Sequence, residues 1–239
     1  MKKNKKKIVI TGGSGRFGKC LQKNITSYNM IFPTKSKLNI EKPNSILNYL
    51  KKNKPYYLLH LAGLTRPMKI HENLISKSIN LNIIGTANIV KACEKLKIKL
   101  IYFSTNFVYP GKKGNYNEND PLLPINNYAW SKLGGESAVQ MYKNSLILRV
   151  SMTEKPFVHK KAFCDFTTNF IYQEQVAKML TKLINKKGII NVGGEIQTVY
   201  KFVKKSNPKI KKSYAKKLLG SKHPLNPSMN IKKLKKILN

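Results

Sequence analysis

The stretch YAWSK places Tyr128 four residues before Lys132, so both side chains share one face if the stretch is helical. A free tyrosine has a pKa of about 10, whereas a general acid works best with a pKa near the operating pH. A cation about 4 Å away contributes roughly 4 kcal/mol at an effective dielectric constant near 20, or about three pKa units. The pair therefore predicts that Lys132 lowers the pKa of Tyr128 towards neutrality and prepares it for proton transfer.

A hydroxyl group that could act with Tyr128 follows the apolar run KLIYFS, Lys99 to Ser104. Thr105 comes directly after this run, and its side chain could hydrogen-bond a substrate oxygen beside the phenol. Tyr-x-x-x-Lys alone would fit a surface helix equally well. The chain thus combines a proton donor, a cation that lowers the donor's pKa and a hydroxyl that can hold a carbonyl group. Together these groups predict proton transfer to or from a carbonyl oxygen.

The glycine-rich stretch TGGSGRFG follows the first apolar run directly and opens a helical pattern. Gly12, Gly15 and Gly18 have the spacing G-x-x-G-x-x-G, which permits a tight turn and a close backbone approach to a pyrophosphate at a helix N-terminus. The turn, including Arg16 and Phe17, therefore predicts a dinucleotide site. The alternative is a glycine-rich turn that binds nothing.

The second apolar run is MIFP, and the residues that follow it indicate whether NAD or NADP would bind. An NAD site usually carries Asp or Glu there to bind the ribose 2′-hydroxyl. This chain has Lys35, Ser36 and Lys37 instead, with Arg16 nearby in the glycine turn. Cations suit a 2′-phosphate, so NADP is favoured and NAD remains open. Lysine is abundant throughout the chain, so coincidence is the competing explanation.

Apolar strand-like runs alternate with helical patterns along the chain, which predicts an α/β fold with a doubly wound, Rossmann-type parallel sheet. In such sheets ligands bind outside the carboxyl ends of the strands, where Thr105 and the glycine turn lie. The predicted strands are Lys7–Ile10, Met30–Pro33, Tyr56–Gly63, Lys99–Ser104, Ser145–Val150 and Gly188–Gly194. The predicted helices are Gly15–Asn24, Asn44–Lys52, Ile75–Lys97, Tyr128–Tyr142 and Gln173–Asn185, with an apolar face of Ile231, Leu234 and Leu238 in the tail.

Composition narrows the class of protein. The 239 residues contain 46 Lys and Arg against ten Asp and Glu, a formal charge of +36. Lysines are spread along the chain and arginines are few, so codon bias explains the charge better than nucleic-acid binding does. Apolar runs are too short for a membrane span, and the three scattered cysteines favour a reduced, cytoplasmic protein without a metal site.

The order of these motifs resembles the extended short-chain dehydrogenases/reductases, also known as the NAD-dependent epimerase/dehydratase superfamily, and most closely their dTDP-4-dehydrorhamnose reductase branch. The resemblance implies that Tyr128 is the catalytic acid or base and that Lys132 lowers its pKa and holds the nicotinamide ribose. It implies that Thr105, beside Ser104, binds the substrate oxygen. Ala62 and Gly63 would line the cofactor, and Asn82 would brace the fourth strand. The stretches that carry it are TGGSGRFG, HLAG (60–63), NIIGTANIV (82–90), YFSTNFVYPG (102–111), YNENDPLLPINNYAWSKLGGE (116–136) and LILRV (146–150).

Departures from the family pattern narrow the expected reaction. Dehydratases of the superfamily carry Asp-Glu after the catalytic Thr, and fucose-synthase-like epimerases carry a Cys in that loop, whereas this chain has Asn106 and Phe107. The reductase branch commonly has Asp in place of Asn106. We expect a dinucleotide-binding domain at 1–150 and a shortened substrate lobe at 151–239, of which about 173–194 packs back on the sheet.

The expected function is therefore an NADP-preferring oxidoreductase that reduces a nucleotide-linked 4-keto-6-deoxy sugar. The alternatives are a 4-epimerase of nucleotide sugars with tightly bound NAD, and a non-catalytic nucleotide-binding subunit. The expected partners are the nucleotide-sugar substrate and, as one possibility, a second copy of the chain. Neither a membrane nor nucleic acid is expected as a partner.

Overall fold

The computed structural model describes residues 5–220 and 223–239. Apolar runs that end at glycines or polar residues form the strands of the main sheet, as the sequence predicts. Short strands at 152–153, 161–163, 167–168, 171–172, 197–198 and 211–213 were not predicted. In chain order the strands are β1 (Lys7–Thr11), β2 (Asn29–Ile31), β3 (Tyr57–His60), β4 (Lys99–Thr105), β5 (Ser145–Val150), β6 (Met152–Thr153), β7 (Lys161–Phe163), β8 (Thr167–Thr168), β9 (Ile171–Tyr172), β10 (Gly188–Val192), β11 (Gln197–Thr198) and β12 (Lys211–Ser213).

Six of these strands form a parallel sheet in the order β10-β5-β4-β3-β1-β2. The helices are α1 (Arg16–Asn24), α2 (Pro43–Asn53), α3 (Ile70–Asn73), α4 (Ile75–Ser78), α5 (Gly85–Lys95), α6 (Asn127–Gln140), α7 (Gln173–Leu183), α8 (Val199–Lys204), α9 (Ala215–Leu219) and α10 (Lys232–Leu238), with a π-helix at Ile79–Ile84 and a 3₁₀ turn at Asn106–Val108. Of these, α1, α2, α6 and α7 begin and end within two residues of their predicted bounds, whereas α3, α8 and α9 were not predicted.

The alternation of side chains along each strand builds a core on both faces of the sheet. On β1, Ile8 and Ile10 pack with α1, α7 and α10 on one face, whereas Val9 packs with α2, α5 and α6 on the other. Because both faces are covered, the strands are almost continuously apolar. This arrangement confirms the predicted Rossmann-type fold.

The segment 75–97 differs from its prediction as one long helix. It divides into α4, the π-helix and α5. A π-helix contains an extra residue in its turn and therefore changes the direction of the side chains that follow. Here it lies at Asn82, whose side chain hydrogen-bonds to segments distant in sequence. Hydrophobic periodicity cannot reveal such a break.

The chain after β5 contributes partly to the sheet and partly to a small separate cluster. Strand β10 pairs in parallel with β5, and α7 packs on the same face as α1. The short pairs β7–β12, β8–β11 and β6–β9 lie outside the main sheet. A small core beside β7 and α8 contains Ala162, Phe166, Val199, Val203, Ile210 and Ala215. The β6–β9 pair instead packs against the main core through Met152 and Ile171. The division into domains at residue 150 stays a prediction.

Within the described ranges, none of the helices combines the length and the apolar character that a membrane span requires.

Candidate active site

The glycine-rich turn connects β1 to α1 and is too closely packed to accept side chains. Gly12 has a φ of +72°, and a Cβ atom there would lie 2.6 Å from the Ala62 backbone nitrogen. A Cβ atom on Gly18 would lie 2.5 Å from the Gly13 carbonyl oxygen. Gly15 is the N-cap of α1, and no side chain in the described part of the chain caps it. The result is a bare backbone cradle at a helix N-terminus, which fits a dinucleotide pyrophosphate.

A buried hydrogen-bond network fixes the loop that faces this turn. The Ala62 backbone N–H donates to Thr11 Oγ1 over 3.2 Å, and the same hydroxyl lies 2.8 Å from His60 Nδ1. The other ring nitrogen of His60 lies 3.1 Å from Thr86 Oγ1. Burial, with a smaller effect of Lys132, lowers the pKa of His60 to about 3. His60 is therefore a neutral packing residue.

Thr105 and Tyr128 meet where β4 ends and α6 begins. Thr105 is buried at the end of β4, and Asn126 caps α6 by accepting a 2.8 Å hydrogen bond from the Ala129 N–H. The ring of Tyr128 is partly exposed, but its hydroxyl is enclosed, and burial raises its pKa to about 12. A hydrogen bond with Thr105 and the charge of Arg66 act in the opposite direction.

This result corrects the expectation that the pKa of Tyr128 is lowered towards neutrality. The sequence argument assumed a charged lysine at about 4 Å and ignored the loss of solvent around the phenol. In the structure, burial is the largest cause of the pKa shifts of both Tyr128 and Lys132. The phenol is therefore fully protonated at neutral pH. It can donate a proton, but its raised pKa makes it a weaker acid than the sequence predicted.

Lys132 lies one turn further along α6 and is only 8% exposed. Its Nζ sits 4.1 Å from the centroid of the Tyr102 ring. Burial lowers the pKa of Lys132 to about 7, and Glu136 opposes this shift. At neutral pH the ammonium and the neutral amine are therefore comparably populated, and Lys132 is not the fixed cation that the sequence argument assumed.

A buried ion pair between Glu136 and Arg149 attaches α6 to β5, one helical turn after Lys132. Glu136 Oε1 accepts hydrogen bonds from Arg149 Nε at 3.0 Å and from its Nη2 at 2.6 Å. The same guanidinium donates from Nη1 to the Tyr109 hydroxyl over 2.7 Å. Sequence reasoning gave no role to this pair, because its partners belong to different elements and only the fold brings them together.

Asn82 braces different segments from those expected. Its Oδ1 accepts from the Leu64 N–H at 2.6 Å, and its Nδ2 donates to the Leu64 carbonyl at 2.9 Å and to Ser131 Oγ at 2.8 Å. Asn82 thus joins the loop after β3 to α6, rather than bracing the fourth strand, which corrects the expectation. A Cβ atom on Gly63 would lie 2.8 Å from Asn82 Oδ1, so this loop is also closely packed.

Two of the cations predicted to bind a 2′-phosphate, Arg16 and Lys35, have protein partners. Arg16 Nη1 lies 2.7 Å from Glu154 Oε1, and Arg66 Nη1 lies 3.2 Å from the same oxygen. Lys35 pairs with Glu41 at 2.8 Å, and the Ser36 hydroxyl lies 2.8 Å from Thr34 Oγ1. Glu154 was not anticipated, since it is distant in sequence from both arginines.

Other residues near the site serve mainly to support it. Phe17 points into the core, where its ring lies 5.1 Å from that of Phe103. The Ser104 hydroxyl is buried and has no hydrogen-bond partner among the described residues. Asn106 donates to Thr168 Oγ1 at 3.3 Å and to the Pro227 carbonyl at 3.2 Å, which attaches the end of β4 to the C-terminal region. Its amide is thereby engaged in packing.

His71 is a neighbour of Tyr128 that the sequence did not single out. The two rings meet edge to face with centroids 5.2 Å apart, and His71 Nδ1 lies 2.7 Å from Ser78 Oγ. Burial lowers the pKa of His71. A neutral imidazole therefore packs against the phenol on the side of α3 and α4.

The fold and this site define the class of the protein. Residues 6–185 match the model of the RmlD substrate binding domain family, and the chain belongs to that family. This confirms the resemblance to the dTDP-4-dehydrorhamnose reductase branch.

Two relatives represent the proteins that this chain is similar to. Methionine adenosyltransferase 2 subunit beta from Danio rerio is 28% identical over 155 residues, which is 61% of this chain and 47% of the relative. A dTDP-4-dehydrorhamnose reductase from Aggregatibacter actinomycetemcomitans is 25% identical over 191 residues, which is 78% of this chain and 60% of the relative. The matched region therefore spans less than two thirds of both relatives.

Solved structures share the fold over nearly the whole chain. A dTDP-4-dehydrorhamnose reductase from Bacillus anthracis, in complex with NADP, has a TM-score of 0.85 at 22% identity and covers 97% of this chain and 92% of its own. The enzyme of that name from Yersinia enterocolitica has a TM-score of 0.82 at 25% identity, with the same two coverages. A UDP-Glc/GlcNAc 4-epimerase from Campylobacter jejuni reaches 0.76 at 19% identity.

Proposed function

We propose that this protein is an NAD(P)-dependent oxidoreductase that reduces a nucleotide-linked 4-keto-6-deoxy sugar, as dTDP-4-dehydrorhamnose reductases do. The observation that carries the proposal is the meeting of Thr105 and the Tyr128 hydroxyl at the carboxyl end of β4, with Lys132 one helical turn away. The bare glycine cradle lies at the carboxyl end of β1 in the same sheet. Both features therefore lie on the side of the sheet where ligands bind in this architecture.

The protein's own residues would bind the carbonyl and supply a proton. Thr105 Oγ1 would hold the carbonyl oxygen, and Tyr128 Oη would donate a proton to it. A nicotinamide cofactor, held at the glycine cradle, would supply the hydride when bound. Proton donation would leave a phenolate on Tyr128, and Lys132 in its ammonium form would stabilise that negative charge until a proton from solvent neutralises it. Lys132 would also offer hydrogen bonds to a ribose.

The protonation state of Tyr128 at neutral pH matches the start of a reduction. Reduction of a ketone needs a protonated phenol at the start, whereas a 4-epimerase first removes a proton from a sugar hydroxyl and so needs a base. A phenol with a pKa of about 12 is almost wholly protonated at neutral pH. The environment of Tyr128 therefore supports the acid role.

The second candidate is a non-catalytic nucleotide-binding subunit. The observation that favours it is the similarity to methionine adenosyltransferase 2 subunit beta, a protein named as a subunit of a larger enzyme. The two candidates differ in turnover, because a subunit of this kind would bind a dinucleotide without consuming it. Enclosure of Tyr128 beside Thr105 supports the catalytic candidate.

NADP is the proposed cofactor, with NAD as the alternative. Arg16 and Lys35 are cations close to the glycine turn and to the end of β2, although each pairs with a carboxylate. Both pairs are solvent-exposed on the cation side, so a phosphate can compete for them. Titration of NADPH and NADH side by side tests this preference, and equal or tighter binding of NADH would contradict it.

Incubation of the purified protein with NADPH and a panel of nucleotide-linked 4-keto-6-deoxy sugars tests the reaction. We expect loss of absorbance at the nicotinamide band only with a matching sugar, and formation of the reduced sugar nucleotide. Binding of NADPH without turnover on any member of the panel would favour the subunit candidate. Release of tightly bound NAD from the purified protein would favour the epimerase.

A further inference from the structure

Glu154 links two arginines that come from different segments of the chain, Arg16 and Arg66. It follows β6 in the chain, whereas Arg16 is the first residue of α1 and Arg66 lies in the loop after β3. Both guanidinium groups contact the same carboxylate oxygen, Oε1, at 2.7 and 3.2 Å. Segments after β1, β3 and β6 thus converge on one carboxylate at the glycine turn.

The charge state of this cluster follows from its contacts. Burial tends to raise the pKa of Glu154, but the hydrogen bond from Arg16 and the charges of both arginines outweigh it, so the net pKa is lowered. Glu154 is therefore ionised at neutral pH. Its side chain is 16% exposed, whereas those of Arg16 and Arg66 are 54% and 40% exposed. The arginines consequently keep N–H groups that face solvent.

The Glu154 carboxylate contacts the two arginines in the way that a bound phosphate could contact them. Arginine presents several N–H donors to carboxylate or phosphate oxygens with similar geometry. Arg16 begins the helix whose N-terminus forms the backbone cradle, so a phosphate there would lie beside its guanidinium. With Glu154 in place, the two positive charges are already partly neutralised, and an incoming phosphate also meets a nearby negative charge.

We propose that Glu154 determines affinity at the glycine turn by competing with the cofactor's phosphate groups for Arg16 and Arg66. The proposal deepens the proposed function, since it assigns an affinity-setting residue to the same cofactor site. Exchange of Glu154 for a phosphate is feasible because both arginines are accessible to solvent, so a phosphate can reach them without unfolding of the site. Removal of the carboxylate leaves two adjacent arginines free to bind an anion.

The test compares Glu154→Gln with the wild-type protein in calorimetric titrations with inorganic pyrophosphate and with NADPH at low salt. Glu195→Gln is the matched control, because Glu195 forms an exposed ion pair with Lys205 and the substitution changes the net charge equally. We expect Glu154→Gln to bind both ligands about 3- to 10-fold more tightly than the wild type and the control do. The gain should shrink as salt is added.

Unchanged or weaker binding of pyrophosphate by Glu154→Gln would overturn the proposal and would indicate that Glu154 instead orients the arginines for the ligand. Circular dichroism and thermal melting of the variant identify any loss of folding, and Glu154→Ala then serves as the second variant with the same expected gain. The result for NADPH separates this proposal from the proposed function. If pyrophosphate binding improves but NADPH binds neither protein, the competition stands and the dinucleotide function fails. If NADPH binds both proteins equally, the competition fails and the dinucleotide function stands.

Discussion

Replacement of Lys132 by methionine should stabilise the protein at neutral and mildly acidic pH. Methionine has a similar length and no charge, so it fills the same buried space. Burial lowers the pKa of Lys132 from 10.5 to about 7. Each pKa unit corresponds to about 1.4 kcal/mol, so protonation of the buried amine costs up to about 5 kcal/mol relative to the unfolded chain. We expect a measured gain of roughly 2–4 kcal/mol at pH 6, because the surroundings relax around a charge.

The pH dependence gives the sharper criterion. Between pH 7 and 10.5 the unfolded chain binds the lysine proton and the folded chain does not, so the wild-type protein gains stability as the pH rises. The variant lacks this contribution. Its advantage over the wild type should therefore be largest at pH 6 and should decrease by about 2–3 kcal/mol between pH 7 and 9.

Urea unfolding followed by circular dichroism at pH 6, 7.5 and 9 measures these differences. Lys91→Met is the matched control, since Lys91 is exposed in the middle of α5 and its loss should change stability by no more than about 0.5 kcal/mol. Contributions from other groups that titrate in this range cancel in the comparison. An equal difference between variant and wild type at pH 6 and pH 9 would refute the argument, as would a less stable variant at pH 6.

Two other features of the site make separate predictions. Gly18→Ala should destabilise the protein by about 1–3 kcal/mol in urea unfolding, because its Cβ atom would lie 2.5 Å from a backbone oxygen. Gly15→Ala meets its nearest backbone oxygen only at 3.1 Å and should cost less, so equal effects would contradict this reading. We expect Lys155, Lys160 and Lys161, which are exposed between β6 and the start of β7, to anchor the diphosphate of the sugar nucleotide. Because salt screens such contacts, the KM for the sugar nucleotide should rise several-fold between about 50 and 300 mM salt with little change in kcat. The KM could instead be independent of salt, or unchanged when Lys155, Lys160 and Lys161 are replaced by neutral residues. Either result would exclude these lysines as anchors.

The elements that sequence analysis predicted well are those determined by local pattern. The runs of β4 and β5 are mostly apolar, and their predicted bounds agree with the structure to within one residue. The glycine turn was also predictable, because only glycine tolerates such close backbone contacts. These features need no knowledge of distant partners.

The features that were missed depend on contacts between distant residues. The break in the helix at Asn82 accompanies hydrogen bonds to Leu64 and Ser131, which no local periodicity encodes. The predicted direction of the pKa shift of Tyr128 was wrong, because residue spacing indicates a nearby cation but gives no information about burial. Glu154 joins Arg16 across 138 positions of the chain, so their contact emerges only from the fold.

The central claim is that Tyr128 donates the proton in a dinucleotide-dependent reduction, and Tyr128→Phe tests it most directly. The substitution removes only the hydroxyl and leaves the ring that packs edge to face on His71. Turnover with NADPH and the matching 4-keto sugar nucleotide should fall about 100-fold or more, while the Kd for NADPH, measured by titration on the same sample, changes less than about twofold. A variant that retains near wild-type turnover would contradict the account.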